Sequence, residues 1–312
     1  MYISGIGRTK FGVLDKTIPE LISEALEKVF ADSKISPNDI DAIYVANFAA
    51  GPFQNQLHAG SLVPSILSKF HIPSIRIESA CASGGVALNQ AVMSLSKFDN
   101  VLVVGFEKMS NIAIKDASKY IATAGDLYLD QKHGLIFPAT YALVAQQHMK
   151  KYGTTTDDLA LVSFKNHSNA NLNEYAHFFH KTVSLDDVKN SPVVCSPLRL
   201  FDCSPISDGA AAVIISNNKK SNRDVKIKAS QISSDSISLS QRNDLTSFSA
   251  AEDAAKKAYK ESGYSPSDID IAEVHDCFTI AEIVAMEDLG FSDKGKATEL
   301  IEKLSSLPNL RE

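Results

Sequence analysis

The chain has 312 residues, of which 44% are hydrophobic and 22% charged, and its formal net charge is −6. This length is enough for two domains or for one fold built from two similar halves. The acidic balance argues against nucleic acid or an anionic membrane as the main partner, and no apolar run reaches the roughly 18 residues of a membrane helix. Four cysteines in a chain of this length do not form a disulfide scaffold and fit a reducing cytoplasm.

Short apolar runs alternate with helical patterns, which indicates an α/β fold. The N-terminal residues carry neither a charged leader nor a long apolar segment, so residues 1–5 are interpreted as the first strand rather than as a signal peptide. Residues 101–106 form a continuous apolar run, typical of a parallel strand covered on both faces. The other early elements predicted in chain order are a helix at 18–30, strands at 42–46 and 74–77, and a helix at 84–95.

An internal repeat links residues 24–43 to residues 253–272. Each segment reads as a helix, a Ser-Pro-x-Asp-Ile-Asp turn and then a strand. Ser-Pro-x-Asp is also a common helix start, with Ser or Asp as the cap and Pro in the first turn. Because the flanking elements have the same type and order, we favour a true duplication.

The offset between Pro37 and Pro266 predicts how far the second copy extends. Residues 230–312 would repeat only residues 1–83, so the second half would lack its own central helix and strand. The chain is therefore expected to stop, at residues 304–312, before its second half is complete.

The repeat suggests a division of the chain into domains. We expect a first half at residues 1–111 that is completed by residues 191–224, and a truncated second half at residues 225–312. Residues 112–190 interrupt the repeat, and a long insertion of this kind commonly forms a cap or a binding surface over a rigid scaffold.

The sharpest local signal is Glu-Ser-Ala-Cys-Ala-Ser-Gly-Gly at residues 78–85, where a strand runs into Cys81 and small residues then open a helix. The positive end of a helix dipole lowers the pKa of a thiol at that position. Unpaired backbone N–H groups there can hold an oxyanion, and the small residues leave room for a carbonyl group. The pattern fits a nucleophilic thiol, and it also fits a small buried cysteine at a tight packing point.

A second constellation is Glu-Val-His-Asp-Cys-Phe-Thr at residues 273–279. His275 and Cys277 lie just past the carboxyl end of a predicted strand, where open α/β sheets place ligands. A His and a Cys suit an acid/base pair, and the alternative is a capping His beside a core Cys. Zinc needs three or four ligands, which His-x-Cys does not supply, so no metal is expected.

The remaining candidates are expected to be structural. They are the Asp-Gly turn within residues 201–212 that precedes an apolar strand at 213–215, the thiols of Cys195 and Cys203, and the pair His177 and His180. The two histidines have a spacing that suits a metal pair, but a polar surface of the insertion is the favoured interpretation.

Three of these segments, in the same order along the chain, resemble the thiolase superfamily. Residues 78–85 are similar to its nucleophile segment, and residues 202–212 to its Asp-Gly-Ala-Ala segment. His-Asp-Cys-Phe at residues 275–278 resembles the sterol-carrier-protein-type thiolases and the archaeal acetoacetyl-CoA thiolases, where other thiolases have Asn-Glu-Ala-Phe. Residues 134–143 and 148–153 look like the loop region of that subgroup. The resemblance covers essentially the whole chain.

The resemblance implies a five-layered αβαβα fold of two αβα halves, and a two-step Claisen exchange between coenzyme A thioesters. Cys81 would take an acyl group from a thioester; coenzyme A or the carbanion of a second acyl-CoA would then remove it. His275 would help to hold the enolate oxygen and Cys277 would act as acid and base. By family position Ser230 and Phe278 would contact the pantetheine arm. Coenzyme A and acyl-CoA would be substrates, with no permanently bound cofactor.

One departure from the family is serious. The family carries a Gly-His-Pro segment near its C-terminus, whose His activates the nucleophile, and this chain has no His after Gly290. Cys81 would then rely on the helix dipole alone. The first hypothesis is an acetyl-CoA acetyltransferase or 3-ketoacyl-CoA thiolase. The alternatives are a catalytically weak thiolase-like protein that binds acyl-CoA or lipid or acts as a scaffold, and a thiolase completed in trans by another polypeptide.

The resemblance also implies partners and a setting. It implies a homodimer or a dimer of dimers, and the subgroup favours acetoacetyl-CoA formation in the cytoplasm for lipid metabolism. A cognate hydroxymethylglutaryl-CoA synthase and a small bridging protein are candidate partners.

Overall fold

A computed structural model of the chain describes residues 1–306, so most of the chain end singled out in the sequence lies outside the described residues. The strands are β1 (Tyr2–Arg8), β2 (Ala42–Ala46), β3 (Ser74–Ile77), β4 (Asn100–Glu107), β5 (Val193–Cys195), β6 (Leu198–Arg199), β7 (Gly209–Ser216) and β8 (Val225–Lys226). The helices are α1 (Ile18–Asp32), α2 (Ala50–Gln54), α3 (Ala59–Ile66), α4 (Ser83–Ser94), α5 (Ile114–Ala122), α6 (Phe137–Tyr152), α7 (Thr156–Ala170), α8 (Leu185–Asn190), α9 (Ser249–Ser262), α10 (Thr279–Asp288) and α11 (Ala297–Ser306).

The chain divides into two compact units. The first comprises residues 1–120 and 206–232, and the second comprises residues 121–205 and 233–306 of the described chain. The sequence-based division, with a cap at residues 112–190, stays a prediction.

The first unit contains a six-stranded mixed sheet in the order β3-β2-β4-β7-β1-β8. Strand β2 runs parallel to β3 and to β4, whereas β7 is antiparallel to both β4 and β1. The strands predicted at 42–46, 74–77 and 101–106 are confirmed. Strand β4 is buried along most of its length, as the continuous apolar run predicted.

Helices cover both faces of this sheet. Ile43 and Val45 of β2 pack into a core with α1 and α3, whereas Ala42 and Ala46 of the same strand pack with α4. This alternation follows from the two-residue period of a strand. The first unit is therefore an αβα sandwich, which confirms the predicted α/β class.

Local signals explain why α1 begins and docks where it does. The Thr17 side chain accepts a hydrogen bond from the Glu20 N–H, and the Glu20 carboxylate accepts one from the Thr17 N–H at 2.7 Å. Gly7 in β1 allows close packing, because a Cβ there would lie 2.4 Å from the carbonyl oxygen of Ala25 in α1. The first strand is thus pressed directly against the helix backbone.

The second unit is mainly helical. Its core combines side chains from α6, α7, α10 and α11, among them the fully buried Leu159, Ile280 and Ile301. Strands β5 and β6 form a short two-stranded ladder. None of the helices in residues 1–306 combines the length and apolar character that crossing a membrane requires.

The repeat is reproduced in its helix and its turn but not in its strand. Helix α1 is followed by a 3-10 turn at Pro37–Asp39 and by β2, and helix α9 is followed by a matching 3-10 turn at Pro266–Asp268. The strand predicted after the second turn was wrong, because residues 270–277 form an irregular loop without ladder pairing. None of the strands in residues 1–306 pairs with this segment.

Candidate functional site

Cys81 lies in a one-turn 3-10 helix, Ala80–Ala82, between the end of β3 and the start of α4. Ala80 has a φ of 46°, in the left-handed region that a non-glycine residue rarely occupies. Ser83 fixes this turn: its Oγ accepts a hydrogen bond from the Ser79 N–H at 2.9 Å and donates one to the Ala80 carbonyl at 2.6 Å. Strain of this kind costs about 1–3 kcal/mol and clusters at functional sites.

The Cys81 thiol is exposed and is not in a disulfide. The protein atoms around it still remove part of its hydration, which raises the pKa of the thiol; its own backbone N–H lowers that pKa, and the Glu107 carboxylate raises it. The lowered pKa expected from the sequence was therefore wrong in direction, because desolvation outweighs the backbone dipoles at the helix start. A further basic or positive group is needed to form the thiolate readily.

The space beside Cys81 is open. A Cβ atom placed on Gly84 or on Gly85 would have no heavy atom within 4 Å, and both residues are exposed. Neither glycine is needed to pack the first turn of α4 against the described chain. The arrangement leaves access for a thioester carbonyl to approach the sulfur.

Cys81 stands at the edge of the sheet where three parallel strands end. Ala46 of β2 pairs with Ile77 of β3 on one side and with Gly105 of β4 on the other. The Arg76 guanidinium holds the chain that follows β2. It donates hydrogen bonds to the carbonyl of Phe48 at 2.7 Å and to the carbonyl of Asn47 at 3.1 Å. Open α/β sheets bind ligands at this kind of edge.

Ser230 lies against α4, the helix that starts directly after Cys81. The Asn89 side chain of α4 donates hydrogen bonds to the Ser230 carbonyl at 2.8 Å and to its hydroxyl at 3.3 Å. Helix α4 therefore connects the two predicted site residues within the first unit: Cys81 precedes the helix, and Ser230 is hydrogen-bonded to it.

His275 and Cys277 lie together in the second unit, in the loop that leads into α10. His275 is exposed as a residue, yet desolvation by neighbouring atoms lowers its pKa, and the carboxylate of Asp276 raises it to a smaller extent. The imidazole is therefore neutral at pH 7. The carbonyl of Cys277 accepts a hydrogen bond from the Ser204 N–H at 3.0 Å, which fixes the backbone beside the thiol.

A polar network from α7 supports this loop. Asn166 donates hydrogen bonds to the carboxylates of Asp276 at 2.9 Å and Glu282 at 2.7 Å. Lys165 forms an ion pair with Glu282 at 2.9 Å, and the Glu282 residue is only 5% exposed. Asn166 and Lys165 could not be identified from the sequence. More than 100 positions separate Asn166 from Asp276 and Glu282, and only the fold brings these residues together.

Phe278 contributes mainly to packing in the described chain. Its ring stacks on Tyr141 with centroids 4.5 Å apart, and the residue is 7% exposed. Its backbone forms a bridge with Cys203. Contact between Phe278 and a pantetheine arm stays a prediction.

The Asp-Gly turn has the structural role expected. The Asp208 carboxylate is fully buried, pairs with Lys108 at 2.8 Å and accepts backbone hydrogen bonds from Leu14 and Met109. Burial would raise its pKa, but the hydrogen bonds from Lys108 and Ser110 prevail and lower the pKa of Asp208 to about 2.

The other thiols and histidines form no obvious site. Burial raises the pKa of the Cys203 thiol to about 11, so it is protonated at neutral pH. The rings of His177 and His180 lie against Phe178 and Phe179. Over the part of the chain that the structure describes, no three His, Cys, Asp or Glu side chains are placed to hold a metal ion.

Family models match nearly the whole chain. The model for "Thiolase, N-terminal domain" matches residues 1–219, and the model for "Thiolase C-terminal domain-like" matches residues 232–309. The chain belongs to the thiolase family.

Individual thiolase relatives agree with the subgroup indicated by residues 275–278. The chain is 44% identical over 308 residues to an acetyl-CoA acetyltransferase from Methanocaldococcus jannaschii, covering 96% of this chain and 78% of the relative. It is 31% identical over 325 residues to sterol carrier protein 2 from Bos taurus, covering 97% of this chain and 59% of that protein. A solved Ltp2-ChsH2(DUF35) aldolase superposes with a TM-score of 0.80 at 25% identity, covering 97% of this chain and 80% of that chain.

Proposed function

We propose that Cys81 is the acyl-carrying nucleophile of this thiolase and takes an acyl group from a coenzyme A thioester. The proposal rests on the turn that holds Cys81. The thiol is exposed between a strand and a helix, and the backbone of the turn is strained and held by hydrogen bonds. Open space lies beside the thiol at Gly84 and Gly85. A cysteine that only filled the core would need neither a strained backbone nor open space for a substrate.

The reaction class follows from family membership. The chain is a thiolase-type acyltransferase that uses coenzyme A thioesters. We infer that the bound acyl group leaves by one of two routes: coenzyme A removes it in thiolysis, or the carbanion of a second acyl-CoA attacks it to form a 3-ketoacyl-CoA.

His275 and Cys277 are the residues that we assign to the second substrate. A neutral imidazole can donate an N–H to the enolate oxygen that develops on that substrate, and the lowered pKa of His275 keeps the ring neutral. Cys277 would move the proton between thiol and substrate carbon as acid and base. Ser230 and Phe278 are proposed contacts of the pantetheine arm.

The likeness to archaeal acetyl-CoA acetyltransferases supports acetyl-CoA and acetoacetyl-CoA as substrates, with no permanently bound cofactor. We propose a homodimer in the cytoplasm that serves lipid metabolism, with a hydroxymethylglutaryl-CoA synthase and a bridging protein as partners. The sheet edge at β3, where Ile75 is 54% exposed, offers one surface for a second copy, and the four cysteines, none of which is in a disulfide, suit a reducing compartment.

The test is thiolysis by the purified chain. Acetoacetyl-CoA and coenzyme A are mixed with the protein, and loss of the enolate absorbance is followed, with Cys81→Ala as the matched variant. We expect turnover that disappears in the variant. Turnover that persists in Cys81→Ala would contradict the assignment of the nucleophile.

A second candidate, a thiolase-like protein that binds acyl-CoA without efficient catalysis, is favoured by one observation. Desolvation raises the pKa of Cys81, and no partner in the described residues lowers it strongly. This candidate predicts no turnover by either protein, together with saturable acyl-CoA binding in calorimetry that Cys81→Ala retains.

A further inference from the structure

A carboxyl group that the proposed reaction does not use lies at the same sheet edge as Cys81. Glu107 is the last residue of β4, two positions beyond Gly105, and Gly105 is level with Ala46 and Ile77 across the three parallel strands. Cys81 follows Ile77 by four positions. The register of the sheet therefore brings Glu107 and Cys81 to the same edge of the sheet, where the charge of Glu107 acts on the Cys81 thiol.

The two oxygens of Glu107 have unequal surroundings. Oε1 accepts hydrogen bonds from the Asn47 amide at 3.0 Å, from the Ala49 N–H at 3.3 Å and from the Phe48 N–H. Oε2 is buried and accepts none from the residues that the structure describes. A buried carboxylate oxygen without a donor is costly, whereas a protonated oxygen in that position carries no charge.

This asymmetry places the two protonation states of Glu107 close in free energy. Burial raises the pKa of Glu107 to about 7. The hydrogen bonds from Phe48 and Ala49 and the positive charge of Arg76 lower the pKa, but their combined effect is smaller. The group therefore titrates in the range where a cell operates, unlike an ordinary glutamate.

The charged groups that face Glu107 come from few elements. Arg76 of β3 lowers its pKa and Glu78, which follows β3, raises it. Lys108, the next residue along the chain, is engaged in its ion pair with the buried Asp208. Cys81 is a further titratable neighbour, and the negative charge of Glu107 disfavours its thiolate.

We propose that Glu107 is a positioning residue that controls Cys81 electrostatically: its neutral carboxyl permits the Cys81 thiolate, and its carboxylate opposes it. The proposal deepens the function proposed above, because it takes Cys81 as the nucleophile. The Asn47 and Phe48 segment remains anchored in both states, since Oε1 keeps its N–H donors while the proton occupies Oε2.

If Glu107 acts in this way, the Cys81 thiolate forms at higher pH than it would beside a neutral side chain. As pH rises through neutrality Glu107 becomes negative, at lower pH than the Cys81 thiol loses its proton, so the charge is in place to raise the pKa of Cys81. Glu107→Gln keeps the side chain at position 107 neutral at every pH and retains an acceptor for the Phe48 and Ala49 N–H groups. The Cys81 thiolate should therefore form at lower pH in this variant.

The experiment measures alkylation rather than turnover. The whole chain is treated with iodoacetamide from about pH 6 to about pH 10, and mass spectrometry of peptides reports the rates at Cys81 and Cys277 in the same sample. In Glu107→Gln we expect the Cys81 midpoint to fall by about 0.5–1 pH unit and the reaction to be about threefold to tenfold faster near about pH 9, where the wild-type Glu107 is ionised, with Cys277 unchanged.

Glu78→Gln is the matched control, because it removes the same charge from an exposed position near the same thiol. A smaller shift there than in Glu107→Gln supports the proposal. An unchanged or raised Cys81 midpoint in a Glu107→Gln protein with wild-type circular dichroism overturns it.

A second measurement needs no substitution at Glu107. Carbon-13 NMR of the glutamate carboxyl groups should show one group titrating near pH 7 in the wild-type chain and a changed titration of that group at alkaline pH in Cys81→Ser. Titration of every glutamate at its ordinary pKa, about 4.3, overturns the proposal. Because neither readout requires turnover, a chain without thiolase activity can still display the control of Cys81, and an active chain can lack it.

Discussion

The two copies of the internal repeat share their local signals and differ in their surroundings. In the first, the Ser36 N–H donates to the Asp39 carboxylate at 2.9 Å, and in the second the Ser265 N–H donates to Asp268 at 2.7 Å. The first turn leads into β2, which has a partner strand on each side. The second leads into the irregular loop at residues 270–277.

The difference separates what a segment encodes by itself from what its neighbours supply. A helix and its cap satisfy their backbone groups locally, so both copies form them. A strand obtains its hydrogen bonds from another strand. In the second copy, side chains such as Asn166 contact the segment after the turn, and no strand pairs with it. That segment remains a loop, and it contains His275 and Cys277.

The largest expected effect comes from the isoleucine that occupies the same position in both copies. Ile40 is 2% exposed in the core of the first unit, and Ile269 is 39% exposed. Ile40→Ala should lower the free energy of unfolding by about 2–5 kcal/mol, whereas Ile269→Ala should lower it by about 1 kcal/mol or less. Urea denaturation of both variants measures this, and equal losses would show that the two environments are equivalent.

An intermediate effect is expected from the side chains that replace strand pairing in the second copy. Asn166→Ala removes hydrogen bonds to two carboxylates and leaves Glu282 with fewer donors, at a cost of about 1–3 kcal/mol. Amide hydrogen exchange at residues 274–277 should become about tenfold faster or more. Asn169→Ala, an exposed position on the same helix, is the control. If both variants exchange alike, the network does not hold the loop.

The smallest effect concerns the two caps, and it should be equal in the two copies. Hydrogen bonds from Ser36 and Ser265 lower the pKa of Asp39 and Asp268. A lowered folded pKa means that the stabilisation is complete above the unfolded pKa of about 4 and is lost as pH falls through the folded value. Ser36→Ala and Ser265→Ala should therefore shift the urea midpoint slightly at neutral pH and not in strong acid. A shift confined to one copy would show that the turns are not equivalent.

Much of the first unit could be predicted because its strands are short apolar runs and its helices carry local caps. The runs at residues 42–46 and 101–106 identify their strands without any knowledge of neighbours. The sequence could not indicate that β7 lies between β4 and β1, because pairing across so long a separation leaves no local pattern.

The candidate site was predicted in part. A thiol between a strand and a helix marked Cys81 as a point of interest, but the direction of its pKa depends on how many atoms surround it, which no short motif records. Glu107 and Asn166 carry no motif at all. Glu107 becomes relevant only because parallel strands end together, and Asn166 only because α7 packs beside residues 276–282.

The place of β7 in the sheet has a consequence for synthesis of the chain. Strands β1 to β4 leave the ribosome first, but β1 has no path to the rest of the sheet until β7 joins it to β4. Residues 108–208 must emerge before that happens, and during this interval β4 and β1 each expose an unpaired edge. Such edges bind other chains readily. The nascent protein therefore passes through a long stage at which a chaperone would protect it best, before β7 joins β1 to β4.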